Sequence, residues 1–341
     1  MELIASYAPQ FSISANGVDI TSNINAALID ISIDDHAGGK SDQLTLNLDG
    51  EKIGKLPPVD AVLRVSLGFN GVLFPQGAFT VDGRSCQGFP EVVTINATAA
   101  PLGGADAKSS IQSQRTQSWE DITLEDLLKT VATRNSLKPL IAEELKGTVI
   151  KHLDQTAESD LALLTRLARQ YSAVSKVSNE NWMLMLTGAG KNASGTQTLP
   201  IRVIDKSQCS SYSYSDQSRT KVKSTVAKWH DKETGKKGTC KKGEGKPAFQ
   251  ISYVYPSKEE AQAAVNSRKQ EVESGSETFN CSLAATKALL QAFAEGHIKV
   301  TGFRDEITSK LWRVAKISKK LTKGGGLIVS FDCDNGAKEE K

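Results

Sequence analysis

Apolar and polar positions alternate with a period of two through most of the first hundred residues. Residues 42–49 put Leu44, Leu46 and Leu48 on one face and Thr45, Asn47 and Asp49 on the other. That is the mark of a strand with one packed and one wet face. Residues 28–34, 62–67, 79–81 and 92–97 continue the pattern, with Gly, Pro and Asn between them. Residues 11–15 and 18–20 flank Asn16-Gly17, a pair that accepts positive φ at both turn positions and so predicts a tight hairpin. Short strands at this spacing predict a sandwich or barrel. Residues 101–115 are small and polar, and read as a boundary loop.

The period changes over residues 118–186. Thr123-Leu-Glu-Asp126 resembles a capping box, and Leu124, Leu127, Leu128, Val131 and Ala132 then form one helical stripe that ends at Asn135. A second helix is predicted from about Glu158 to Tyr171. Its acids Glu158 and Asp160 sit in the first turn, and Leu161, Leu164, Leu167 and Ala168 form its stripe. Residues 181–187 read as a strand, making a small α/β module. From residue 199 the chain returns to strands, at 201–204, around Tyr212 and Tyr214, at 222–226, 249–255, 278–283, 297–301, 310–319 and 327–332. The capping box Ser257-x-x-Glu260 opens a single helix running to about Val272. Residues 231–247 carry lysines and glycines with no apolar period, and are expected to form a mobile loop.

The order β, α/β, β predicts an α+β, mostly β fold and excludes the alternating βαβ of a doubly wound sheet. The boundaries are drawn at residues 1–105, 116–198 and 199–335, with a frayed charged tail at 336–341. A length of 341 residues suits two or three such units. The 42 basic and 39 acidic residues leave a net charge of +3, which excludes a globally basic nucleic-acid binder. Five scattered cysteines, an odd number with no CxxC, argue for reduced thiols. Neither a signal peptide nor a transmembrane run is read.

Candidate chemistry is sparse. Gly190-Lys191 and Gly245-Lys246 both fail the phosphate-loop pattern, and neither G-x-S-x-G nor a metal-spaced set of the four histidines occurs. No catalytic, cofactor or metal residues are assigned, and no cofactor is expected. Glu158 and Asp160 form a conceivable hydrolase pair, against the simpler reading of acids at a helix N-terminus. In the lysine-rich run, Lys236, Lys237, Lys241 and Lys242 are taken as partner-contact candidates, against the simpler reading of a solvated excursion.

Three stretches carry a family resemblance. The first is Trp119-Glu-Asp-Ile-Thr-Leu-Glu-Asp-Leu-Leu128. The second is His152-Leu-Asp-Gln-Thr-Ala-Glu-Ser-Asp-Leu161, continuing through Leu164-Thr-Arg-Leu-Ala168 to Tyr171, with Ser172 where relatives carry glycine. The third joins Val300-Thr-Gly-Phe303, Trp312-Arg-Val and Ile328-Val-Ser-Phe331, although residues 285–296 look longer and more helical than the family's turn. In order and spacing these resemble the phage late control protein D family, the baseplate hubs of contractile tails, over most of the chain. The resemblance implies two tail-tube-like β-barrel domains with a small α/β domain between them. It implies a homotrimer that joins a sixfold tail tube to a threefold spike in the virion baseplate, assembled in the host cytoplasm. Expected partners are the chain itself, the spike, the tube and other baseplate proteins, with no membrane and no specific nucleic-acid binding. Spike portions of type VI secretion systems are similar to the same hub. The alternatives are a tail-associated peptidoglycan hydrolase and a nucleic-acid-binding late regulator.

Overall fold

The computed structural model describes residues 8–38, 40–99, 111–216, 222–232, 234–274 and 276–337. Alternation sets the first half. It contains β1 (Pro9–Ala15), β2 (Val18–Asp19), the helix α1 (Thr21–Ala27), β3 (Leu28–His36) and β4 (Gln43–Asp49). It continues with β5 (Val62–Phe69), β6 (Val72–Gln87) and β7 (Val92–Thr98). Leu44, Leu46 and Leu48 are fully buried, as their period requires. The turn between β1 and β2 holds Asn16 and Gly17 at φ 48° and 84°, the geometry that makes Asn-Gly a hairpin signal.

The middle module runs through β8 (Gln114–Thr123), α2 (Leu124–Arg134), β9 (Lys138–Ile141), α3 (Glu143–Lys146) and β10 (Val149–Ser159). It ends with α4 (Asp160–Gln170), β11 (Ala173–Ser178) and β12 (Asn181–Leu186). Thr123 and Ser159 cap α2 and α4, each side-chain oxygen accepting from a backbone N–H of the first turn. The buried stripe of α4 is Leu163, Leu164, Leu167 and Ala168, so Leu163 takes the place expected for Leu161. Glu158 ends strand β10, so only Asp160 of the two acids lies in the helix.

The last part holds β13 (Arg202–Asp205), β14 (Cys209–Asp216), β15 (Ser224–His230), β16 (Lys237–Gly243), β17 (Ala248–Tyr255) and α5 (Lys258–Ser274). It closes with β18 (Glu277–Ala284), α6 (Lys287–Leu290), β19 (His297–Thr301), α7 (Asp305–Thr308), β20 (Leu311–Thr322) and β21 (Gly326–Asp334). Strand β16 corrects the expected loop at 231–247. Cys240 is buried against Ala227 and α5, and that one anchored side chain holds a lysine-rich edge strand in place.

Apart from β15, β16 and β17, which form a separate three-stranded sheet, the strands of the two outer parts form one open sheet, not two closed barrels. Its path is β14-β18-β21-β20-β3-β4-β7-β6-β5-β1-β2, with β19 beside β20 and β13 beside β19. One hydrophobic core runs through both halves. Within that sheet the topology repeats. The first half reads β3-β4-β7-β6-β5-β1, and the last part reads β14-β18-β21-β20-β19-β13. The repeat holds residue by residue. The β6–β7 register slips between Val81 and Gly83, and the β20–β21 register slips between Val314 and Lys316. The β3–β4 and β14–β18 pairs slip at matching places, Leu28/Asp30 and Cys209/Ser211. Asp60 and Glu295, at φ 69° and 68°, donate their N–H to the carbonyls of Val81 and Val314 in the strand beside them, and the next residues, Ala61 and Gly296, accept the Val81 and Val314 N–H in return. The two halves differ where β1 lies antiparallel to β5 but β13 lies parallel to β19. Between β14 and β18 the second half carries an insertion, β15 to α5, with its own small core.

Two buried ionic clusters tie the middle module to this sheet. Lys176 of β11 donates to Asp35 Oδ1 at 2.5 Å, to the His36 carbonyl at 2.8 Å and contacts Asp42 Oδ1 at 2.9 Å. Asp35 also accepts the Ala294 N–H at 3.0 Å. In the second cluster Arg313 binds Glu295 and Asp334, and Glu295 accepts the Gly188 N–H at 2.8 Å. Gly188 has φ 71°, and a Cβ there would lie 2.1 Å from the Gly336 carbonyl oxygen, so only glycine fits.

Removing one partner of a buried ionic cluster strands the others. Lys176→Met, which leaves Asp35 and Asp42 uncompensated, is expected to lower unfolding stability by about 3–5 kcal/mol in denaturant titration; a loss below about 1 kcal/mol would show that the cluster does not hold the module.

Burial pushes the Asp42 carboxyl up to about 6, against the pull of Lys176. A folded-state value above the unfolded one means that its stabilising contribution is full below about pH 4 and is lost as pH rises through about 6. Relative to wild type, Asp42→Asn is therefore expected to gain up to about 3 kcal/mol between about pH 4 and pH 7. Parallel pH profiles for the two proteins would contradict this.

Candidate assembly surface

The acids singled out as a possible hydrolase pair are both occupied in structural work. Asp160 is fully buried, and Arg134 Nε donates to it at 2.7 Å, Asn135 at 2.8 Å and Gln155 at 3.0 Å. Burial pushes its carboxyl up, but the hydrogen bonds from Arg134, Gln155 and Asn135 outweigh that and hold it below the ordinary range. Glu158 is clamped by Arg166 at 2.7 and 3.0 Å. The two carboxylates face different arginines and share no open space for a sugar and a water, which glycoside hydrolysis requires.

Two of the four histidines, His297 and His152, are equally committed. His297 is buried with Nε2 against the Gly188 carbonyl at 3.0 Å. His152 is exposed on the β8–β10 ribbon between Glu120 at 2.6 Å and Asp154 at 3.2 Å. Hydrogen bonding to Glu120, then to Asp154, raises its pKa. Among the described residues no group of His, Cys, Asp and Glu is arranged to hold a metal ion. The cleft between α4, α5 and β20–β21 contains Glu295, Arg313 and Asp334, already paired with one another.

What the surface does offer is edges and unpaired charge. Lys237, Lys241 and Lys242 lie on β16, and Lys236 lies in the turn before it; all four are exposed. By strand alternation Lys237 and Lys241 share the face turned away from α5 with Lys228, while Lys242 points to the other side. None of them makes an ion pair among the described residues, whereas Lys316 and Lys320 on the large sheet reach Asp34 and Asp30. Strand β14 ends the sheet path, so among the described residues one row of its peptide groups has no strand beside it. Beyond Val81, β6 pairs with β7 alone. Exposed edges of this kind are templates for pairing with another chain. Sequence reasoning missed them because an edge is a property of the assembled sheet and leaves no mark in residue order.

The family model described as phage tail baseplate hub (GPD) matches residues 105–321. The probable baseplate hub protein of Escherichia phage 186 is 30% identical over 94% of this chain and 91% of its own length. The chain belongs to the phage tail baseplate hub family. The hub is a structural component of the virion tail baseplate and not an enzyme. Its fold is similar to that of the tail protein from Neisseria meningitidis MC58, with TM-score 0.71, 11% identity and coverage of 96% and 97% of the two chains. It is also similar to the E. coli c3393 protein, a component of the type VI secretion system, with TM-score 0.53, 7% identity and coverage of 96% and 79%. Among the described residues no helix is long and apolar enough to cross a membrane.

Proposed function

We propose that the hub is a homotrimeric adapter that joins a sixfold tail tube to a threefold spike. The observation that carries this reading is the repeated strand order of its two halves. Three copies with two like halves each present six similar faces on one side. On the other side, the insertion and the middle module, which occur once per chain, present three. A heterologous contact that closes on itself makes such a ring, and each interface should bury more than ~1,000 Å². In this reading residues 1–105 and 199–335 are the tube-like parts and 116–198 the connecting module. Lys236, Lys237, Lys241 and Lys242 meet acidic surfaces of neighbouring baseplate proteins, supported by their exposure and their lack of ion-pair partners within the described chain.

Light scattering on the purified hub, titrated upward in concentration, should converge on three chain masses. A strict monomer at all concentrations, including in the presence of purified spike, would overturn the adapter reading. Reversal of all four lysines to glutamate should leave thermal stability and trimer mass unchanged, since surface substitutions of this kind cost little. It should cut particle yield at least ~10-fold when supplied to a lysate of a phage lacking its own hub, by loss of steered contact with acidic neighbours. Full yield would remove these lysines from the interface.

A further inference from the structure

Inside one chain the two halves are already joined, edge to edge. The last part of β20 lies antiparallel to β3, with Ile317 opposite Asp35, Ser318 opposite Asp34, Lys319 opposite Ile33 and Lys320 opposite Ser32. The structural repeat gives each of these strands a counterpart. Matching the register slips places Arg84, Ser85, Cys86 and Gln87 of β6 where Ile317, Ser318, Lys319 and Lys320 lie in β20. By the same rule Ser213, Tyr214, Ser215 and Asp216 of β14 stand where Ser32, Ile33, Asp34 and Asp35 lie in β3. Among the described residues neither counterpart has a strand beside it, and the two sit in different halves of the chain.

We infer that copies of the hub join through antiparallel pairing of residues 82–87 of one chain with β14 of the next, repeating the joint that β20 and β3 make internally. The inferred register sets Arg84 opposite Asp216, Ser85 opposite Ser215, Cys86 opposite Tyr214 and Gln87 opposite Ser213. The inference rests on the trimeric reading above and specifies its joint.

Three further observations support it. Residues 82–87 and 209–216 contain neither proline nor lysine, two common devices that blunt an edge against pairing. Arg84 and Asp216 are of opposite charge, and directly opposite residues on antiparallel strands share a face and lie within contact. Tyr212, at the place equivalent to Ile31, is 48% exposed where Ile31 is 0%. Ile31 is covered because β20 lies beside β3, and Leu321 stands opposite it. The strand that would cover Tyr212 in the same way is absent from a single chain.

Cysteine cross-linking reads the register directly. Directly opposite residues on antiparallel strands have Cα atoms about 4.5–5.5 Å apart, within disulfide range, whereas positions displaced by two residues are about 7–8 Å apart and outside it. In a Cys86→Ser background, S85C combined with S215C should convert on mild oxidation to a covalent trimer on a non-reducing gel, dispersed by reductant. Either substitution alone, and the out-of-register pair Q87C with S215C, should stay below about one tenth of that yield. Ser85 and Ser215 are exposed, so unchanged thermal unfolding confirms that the variants fold. A trimeric mass without cross-linking of S85C/S215C would overturn this joint and leave the adapter reading standing. A monomeric mass without cross-linking would overturn both.

Discussion

Every strand edge in a sheet has to be paired, covered or guarded, because its peptide groups remain strong donors and acceptors. In the hub this requirement organises the whole chain. The end of β20 runs past its own half and satisfies its free side against β3, and that one seam turns two like halves into a single sheet over a single core. Among the described residues the same requirement is unmet at corresponding places of the two halves, the end of β6 and the outer side of β14. A monomer that pairs its halves internally and leaves matching edges open at its flanks is built as a unit of something larger.

Buried charge plays a different part. The middle module has its own core, centred on Leu127, Leu128, Leu164, Leu167 and Trp182, and its attachment to the sheet goes through polar clusters. Lys176 reaches out of β11 to two aspartates flanking the β3–β4 turn, and Glu295, itself paired with Arg313, accepts the Gly188 N–H. Ionic contacts of this kind contribute little net stability compared with apolar packing, but they are directional and costly to leave half made. They fix where the module sits, and a particle built on symmetry needs that placement more than it needs additional stability.

Strict alternation made the first half legible. Leu44, Leu46 and Leu48 have a wet opposite face, so the period shows, and α2 and Ser257-capped α5 were equally plain from their stripes and caps. Three kinds of element were hidden. Strands β8 and β10 form a two-stranded ribbon in which Trp119, Ile122, Ile150 and Leu153 pack on the module's core beside the polar pair Gln117 and Gln155, so no clean apolar period of two survives. Strand β16 has a single buried anchor, Cys240, among lysines and glycines, a pattern that a loop shares. The repeat was hidden because equivalent core positions hold different side chains. Phe79 and Trp312, Leu44 and Phe279, and Ile95 and Phe331 each fill the same place in the two halves. Burial and register match across the repeat while residue identity does not, since a core selects for volume and apolarity more than for sequence. The expected barrels gave way to an open sheet for a related reason: closure depends on which edge meets which, and residue order does not encode that. The acids Glu158 and Asp160, a conceivable catalytic pair in the sequence, proved to be a clamp and a helix-end anchor. The free edges, on which the inferred joint between copies rests, had no signal in the sequence.

The central claim is that two like halves in each of three chains close into one annulus. Electron cryo-microscopy of the purified hub viewed down its symmetry axis tests it most directly. The account predicts a closed ring of six similar lobes around an open centre, with three further features placed alternately at its rim. Single isolated chains, an open filament, or a ring whose lobes differ so much that only threefold likeness remains would contradict it.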